Sequence, residues 1–252
     1  MAHIFITGSS TGLGLLAAKS LINQGHKVVL HARNEKRAKE TRESLPDAKD
    51  VLMGDLEDME ETKQLAENVN ALGHFDAVIH NAGIYQGLGH QIFNINLLAP
   101  YLLTSLIDLP ERLIYLSSGM HRSGTPLSKG SDPNHTTYSD SKLHIITLMK
   151  AVARLFPEVY ANSVDPGWVP TNMGGKGAPD DLQQGYETQV WLATSQDQEA
   201  LVSGKYFYHQ QQQSPRPEAD DTKLQEQLLR VCEKNTGITF PSERHKAHLI
   251  KH

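Results

Sequence analysis

Residues 4–22 read Ile4-Phe5-Ile6-Thr7-Gly8-Ser9-Ser10-Thr11-Gly12-Leu13-Gly14-Leu15-Leu16-Ala17-Ala18-Lys19-Ser20-Leu21-Ile22. A short β-prone run over 4–7 enters three glycines separated by three residues and then by one, and an apolar segment over 13–22 follows without a break. The order this predicts is strand, glycine turn, helix. Glycines permit a tight turn and let backbone N–H groups approach a pyrophosphate, whose charge the positive end of the following helix stabilises. A glycine-rich turn taken alone is a weak signal and is explained as readily by turn chemistry. Set between a strand and a helix, it makes a dinucleotide the expected ligand.

Outward from this stretch the same order repeats. Short runs rich in Val, Ile and Tyr recur at 27–31, 50–53, 77–80, 113–116, 160–164 and 205–208, each followed by a turn and then by residues with helical spacing. Parallel strands need crossovers, and 13–22, 58–69 and 139–156 are good helix material. Right-handed crossovers place helices on both faces. The expected fold is therefore α/β: one Rossmann-type, doubly wound parallel sheet of about seven strands, filling residues 1–240 as a single domain. The glutamines of 210–213, followed by Ser214-Pro215-Arg216-Pro217, read as a solvated surface connection before a last helix over about 220–233. Residues 241–252 read as a basic, histidine-bearing, solvated tail.

Composition removes several function classes. With 38% hydrophobic and 21% charged residues the chain is an ordinary globular one, and no apolar run approaches the roughly 20 residues that span a bilayer. The chain start enters a strand-like run with no basic leader and no cleavage site, so the cytoplasm is the expected location. One cysteine, Cys232, fits a reducing compartment and offers no cysteine-rich metal site; no metal is expected. A net charge of -5 argues against nucleic acid as a partner.

The second strand ends in Val28-Val29-Leu30-His31-Ala32-Arg33-Asn34, where the chain should pass an adenosine ribose. No acidic residue stands there. A carboxylate would bind ribose hydroxyls and repel a 2′-phosphate, whereas the Arg33 guanidinium pairs with that phosphate, so NADP(H) is expected over NAD(H). Further on, Tyr138-Ser139-Asp140-Ser141-Lys142 opens a helix and puts Tyr138 and Lys142 on one face. An ammonium beside a phenol stabilises the phenolate and lowers its pKa, giving one group that can protonate a forming alkoxide or deprotonate an alcohol. With eight tyrosines and fifteen lysines in 252 residues, chance supplies this spacing about half the time. Position adds the weight, because the pair follows a fifth strand whose C-terminal end carries Leu116-Ser117-Ser118-Gly119, at the sheet edge where ligands bind. There Ser118 is placed to hold a substrate oxygen. His80-Asn81-Ala82-Gly83 ends the fourth strand in the same way, and Asn96 lies in the helix beyond; amides there either brace strands or relay protons through water.

Taken together these residues resemble the short-chain dehydrogenase/reductase family over nearly the whole chain and in the family's order. The glycine loop resembles the family's cofactor loop, which implies contacts from Gly8, Ser10, Thr11, Gly12, Leu13 and Gly14. Asn81, Ala82 and Gly83 match its Asn-Ala-Gly segment, and Asn96, Ser118, Tyr138 and Lys142 match its catalytic set. Asp55, followed by Leu56, sits where the family contacts adenine. Asp165-Pro166-Gly167-Trp168-Val169-Pro170-Thr171 resembles the segment that holds the nicotinamide, through Pro166, Gly167, Val169 and Thr171. The glycine spacing resembles the compact single-domain oxidoreductase branch, while the long stretch from Ser118 to Tyr138, with Met120-His121-Arg122-Ser123-Gly124, looks similar to retinol-dehydrogenase-like members.

The resemblance implies hydride transfer between NADP(H) and a small-molecule carbonyl or alcohol, with Tyr138 as acid/base, Ser118 on the substrate oxygen, Lys142 tuning the phenol, and Asn96 behind a water relay. It also implies a homo-oligomer, a dimer or tetramer, built on the helix that begins at Tyr138. Residues 172–181, rich in glycine, read equally as a mobile flap or as a plain surface loop. Two other functions fit the same motifs: a nucleotide-sensing regulatory protein that does no chemistry, and a reductase of an activated C=C bond.

Overall fold

The computed structural model describes residues 1–128 and 130–241, so the basic tail from residue 242 onward lies outside the described residues. Its centre is one eight-stranded sheet in the order β3-β2-β1-β4-β5-β6-β7-β8. Seven strands are parallel: β1 (His3–Ile6), β2 (Lys27–Ala32), β3 (Asp50–Met53), β4 (Ala77–His80), β5 (Arg112–Leu116), β6 (Tyr160–Asp165) and β7 (Lys205–Tyr208). These are the seven strands the sequence predicts, with ends moved by a residue or so. The eighth, β8 (Gln211–Gln213), runs antiparallel to β7 and corrects the expectation of a plain connection there. His209 and Gln210 both adopt positive φ, 47° and 62°, forming the two-residue turn that folds the glutamines back onto the free edge of β7. Glutamine has no strong strand preference and all three residues are exposed, so only the waiting edge makes this a strand.

Alternate residues of each strand face opposite sides, and both sides are apolar because both are covered. Ile4, Ile6, Val28, Leu30, Ile79 and Ile114 pack on Ala17, Leu21, Val190 and Ala193 of α1 (Gly12–Asn23) and α7 (Leu182–Thr194). Phe5, Val29, Val78, Leu113 and Tyr115 pack on the other face against α3 (Met59–Ala71), α5 (Ala99–Leu106) and α6 (Tyr138–Leu155). The order of strands reverses between β1 and β4, which opens a crevice at their C-terminal ends.

Helix α6 is buried on nearly every side. Residues 141–149 are all inaccessible, because α8 (Thr222–Thr236) of the same chain lies across it. Lys150 Nζ pairs with Asp220 at 2.6 Å, Arg154 Nε donates to Gln225 Oε1 at 2.9 Å, and Tyr101 on α5 donates to the Ile238 carbonyl at 2.7 Å. Along these residues α6 is covered by α8 of the same chain.

Two histidines in the interior make stability depend on pH. His80 on β4 and His144 on α6 are buried with Nδ1 unpartnered, and burial pushes their pKa values down to about 3 and about 4 from 6.5. Both are neutral when folded and take up a proton when unfolded, so their contribution is present above the unfolded value and is lost as pH falls toward the folded one. The urea midpoint is expected to hold steady above about pH 7 and to decline from about pH 6.5 downward. A midpoint unchanged down to about pH 5 would contradict this account of the two imidazoles.

Candidate active site

The crevice begins at the glycine turn. Gly8 and Gly12 hold φ of 62° and 59°, conformations that strongly favour glycine, and a Cβ on Gly8 would come within 2.8 Å of Ala82 Cα. The end of β4 is laced to this turn: Asn81 Nδ2 donates to the carbonyls of Thr7 and Gly8 at 3.0 and 3.1 Å, and the Ala82 N–H donates to Thr7 Oγ1 at 3.1 Å. Asn34, Asp58, Thr137, Asp181 and Asp221 cap α2 (Glu35–Ser44), α3, α6, α7 and α8. No side chain caps α1 and no acidic residue sits in its first turn, which leaves its N-terminal N–H groups to face an anion. The residues present therefore fit a pyrophosphate.

Sequence reasoning passed over His31, which holds this cradle in place. It is buried, its Nδ1 accepts from the Gly8 N–H at 2.9 Å, and its Nε2–H donates to the Gly54 carbonyl at 2.8 Å. Burial lowers its pKa and keeps it neutral, and these two partners select the Nε2 tautomer. Its backbone N–H donates to Ser9 Oγ at 2.8 Å, so strand and turn are tied twice. Replacing His31 by Ala strands the part-buried Gly8 N–H and the buried Gly54 carbonyl, a loss of about 1–3 kcal/mol for each buried group left without a partner. The expected result is a lower urea midpoint together with weaker NADPH binding in a fluorescence titration; a variant that binds as the parent does would remove His31 from the cradle.

Two cavities meet at the first turn of α6. The smaller, about 370 Å³, runs from the glycine loop past Arg33, Asp55 and Leu56 to Asn81, Ala82, Gly83, Lys142 and Thr171, and gathers most of the residues expected to contact a cofactor. Arg33 is exposed, with Nε 3.9 Å from Asp55 Oδ2, a loose pair that leaves its guanidinium accessible. Gly14 lies behind the loop against Asn81, and Gly167 and Val169 line the other cavity. That cavity, about 630 Å³, is bounded by Ser118, Gly119, Met120, Trp168 and Met173. Tyr138 and Pro166 line both.

At this junction Ser118 and Tyr138 both border the larger cavity, and the Tyr138 ring stands edge-on to Tyr85 with centroids 4.9 Å apart. Lys142 Nζ lies 5.3 Å from the Tyr138 ring centre and donates to the Leu116 carbonyl at 2.9 Å. Here the electrostatics differ from the expectation: burial pushes the Tyr138 phenol up to about 12, and burial lowers Lys142 to about 8. Desolvation is the largest cause on the phenol, Asp165 and Tyr85 add to it, and the Ser118 side chain opposes it.

Asn96 is not in an ordinary helix. It sits in a single π-helical turn, Asn94–Leu98, between α4 (Gly89–Phe93) and α5, a distortion frequent at functional sites. Its Oδ1 accepts from the Ile84 N–H at 2.8 Å, and its Nδ2 donates to the Ile84 carbonyl and to Ser141 Oγ at 3.0 and 2.9 Å. Of the two roles left open for it, bracing is the one these bonds perform.

His121 is the other residue that motif reading missed. Fully buried, it donates from Nδ1 to the Ser118 carbonyl at 2.7 Å and accepts at Nε2 from the Arg216 N–H at 3.3 Å, anchoring Ser118 to a segment some 95 positions away. The long stretch after Ser118 is likewise pinned along α6: the Thr125 N–H donates to Asp140 at 2.6 Å and its carbonyl accepts from His144 Nε2 at 2.9 Å. Farther along, Asn134 packs against Gly89. Among the described residues of this stretch, Ser118, Gly119 and Met120 reach the larger cavity.

Residues 2–181 match the family described as short chain dehydrogenase. The short-chain dehydrogenase chyC of Penicillium rubens is 40% identical over 259 residues, covering 96% of this chain and all of that one. Among solved structures, an uncharacterised protein of Mycobacterium paratuberculosis superposes with a TM-score of 0.79 at 22% identity, over 96% of this chain and 95% of its own. A blue fluorescent protein from a metagenomic library, solved with NADPH, superposes with a TM-score of 0.69 at 20% identity, over 82% and 95%. At these identities the two structures speak to the fold.

Proposed function

The chain belongs to the short-chain dehydrogenase family of oxidoreductases, and we propose that it transfers hydride between NADP(H) and a carbonyl/alcohol pair with Tyr138 as the general acid/base. The observation that carries this reading is the placing of Tyr138, which lines both the nucleotide-sized cradle and the larger cavity, the latter together with Ser118. When bound, the dinucleotide supplies the hydride. The uncapped start of α1 and the glycine turn hold its pyrophosphate, and Pro166 and Thr171 border the end of the cradle nearest Tyr138. Ser118 holds the substrate oxygen, and Tyr138 O–H gives it a proton as charge develops there. Lys142, Asn81 and Asn96 keep this end of the cleft in shape through the Leu116, Gly8 and Ile84 backbone.

NADP(H) is favoured over NAD(H) by the absence of an acidic residue at the end of β2 and by the exposed Arg33 at the cradle's adenosine end. Turnover of a panel of aldehydes and ketones with each reduced cofactor tests the proposal. The expected result is reduction to the alcohol with NADPH well ahead of NADH. Arg33→Ala removes a charge-assisted contact of about 1.5–3 kcal/mol and so raises the KM for NADPH by roughly tenfold to a hundredfold, with little change for NADH. A preference for NADH would overturn the cofactor assignment, and a saturated C=C bond in place of an alcohol would overturn the reaction.

A further inference from the structure

Eight large apolar side chains are exposed among the described residues, and four of them, Tyr85, Met120, Trp168 and Met173, line the single cavity beside Ser118 and Tyr138. Clustered exposed apolar surface of this kind marks a binding site, because water is a poor partner for it. Trp168 is the largest of the four and the most exposed, at 60%. Its polar handles are both taken within its own loop: the backbone N–H donates to Asp180 at 2.6 Å and the indole N–H donates to the Gly174 carbonyl at 2.8 Å. The main chain and the indole N–H are thereby held while the ring stays largely exposed.

The chemistry of the lining separates flat rings from alkyl chains. An indole, two thioethers and the phenols of Tyr85, Tyr138 and Tyr208 outnumber the branched aliphatic groups, of which the cavity has only Leu13 and Val169. Aromatic rings pair through their quadrupoles, and a polarisable sulfur favours a ring edge, whereas an alkyl chain gains neither. Charge narrows the choice further. Among the described residues, Asp165 and Asp180 line the cavity and no Lys or Arg does, a lining that disfavours a substrate carrying a carboxylate or phosphate.

Building on the proposal that Tyr138 protonates a carbonyl oxygen, we infer that the body of the substrate is a flat, uncharged or weakly basic aromatic ring system, an aryl ketone or aldehyde, seated on Trp168. Trp168 is then the specificity-determining residue. In the reduction, hydride from the dinucleotide forms the new C–H bond at the carbonyl carbon, the C=O pair moves to oxygen, and the phenol proton completes the benzylic alcohol.

The test compares two methyl ketones of similar hydrophobicity, 2-acetylnaphthalene and 2-decanone, with NADPH and product chromatography. The parent is expected to favour the aryl ketone by about tenfold in kcat/KM. Trp168→Ala should cut that ratio about tenfold, mainly through KM, and Trp168→Phe should restore most of it. In a Trp191→Phe background Trp168 is the sole tryptophan, so saturable quenching of its fluorescence by 2-acetylnaphthalene reports binding without turnover. A parent that prefers 2-decanone, or a ratio indifferent to Trp168→Ala, overturns the inference while leaving the oxidoreductase reading intact. Quenching without reduction of either ketone supports the aromatic site and overturns the proposed reaction. Absence of both quenching and turnover with the aryl ketone overturns the inference.

Discussion

Tyr138→Phe is expected to lower the rate of carbonyl reduction by about 10²–10⁴-fold, the usual contribution of a positioned proton donor, while leaving the NADPH dissociation constant within a few-fold of the parent. The ring is retained, so the edge-on contact with Tyr85 and the wall shared by the two cavities remain. What is lost is the phenol O–H, in the cavity that Ser118 also lines. The phenol pKa of about 12 sets the sign of the pH dependence. At neutral pH the group holds its proton and is ready to donate, so reduction is insensitive to pH until Lys142, near 8, begins to lose its charge. Alcohol oxidation needs the phenolate, so its rate should climb by about tenfold per pH unit below pH 8. Stopped-flow single turnovers with NADPH measure the first effect, and kcat/KM against pH in the oxidative direction measures the second. Residual activity above about a tenth of the parent would place the proton donor elsewhere.

The second large effect is at Gly14, where the obstacle is space and not backbone conformation. A Cβ there would run into the Asn81 amide nitrogen and come within 2.7 Å of the Gly8 carbonyl oxygen and 3.0 Å of Ser9 Cα. Two of those atoms are backbone and cannot move aside as a side chain can. The third is the amide that laces β4 to the turn, so Gly14→Ala opens the cradle by unseating its own clamp. Overpacking of this sort costs about 1–3 kcal/mol, and where that cost falls on the binding conformation it weakens NADPH by roughly tenfold to a hundredfold. Gly12→Ala is the contrast. No atom lies within 4 Å of its Cβ, and the penalty is the strain of a φ of 59°, about 1–2 kcal/mol without a blocked clamp. Titration of NADPH into each variant, with urea unfolding alongside, separates the two causes. Unimpaired NADPH binding by Gly14→Ala would mean that the Asn81 clamp does not shape the site.

The legible parts of this protein are those whose cause is local. Strand alternation repeats every second residue, Asp58 caps the helix directly after it, and Tyr138 and Lys142 face the same way because four residues complete one helical turn. The glycine turn needs φ values that only nearby residues decide. Hence the seven parallel strands, the order of the elements and the members of the candidate site can be read in a single pass along the chain.

What the chain order could not reveal depends on partners far away in sequence. The glutamines of β8 are a strand only because β7 offers a free edge, and the burial of α6 depends on α8 about eighty residues later. His31 and His121 carry no motif, yet each ties a functional segment to backbone brought beside it by the fold. The direction of the Tyr138 pKa is of the same kind: spacing places Lys142 beside the phenol, but burial by distant segments decides which effect wins. The glycine loop, the spacing of Tyr138 and Lys142 on one helix face and the sheet were determined by sequence alone, through dihedral preference and side-chain period. Their electrostatics, the clamps that hold them and the aromatic cavity around Trp168 were decided by tertiary structure, because desolvation and hydrogen bonding depend on what packs against a group and not on what precedes it.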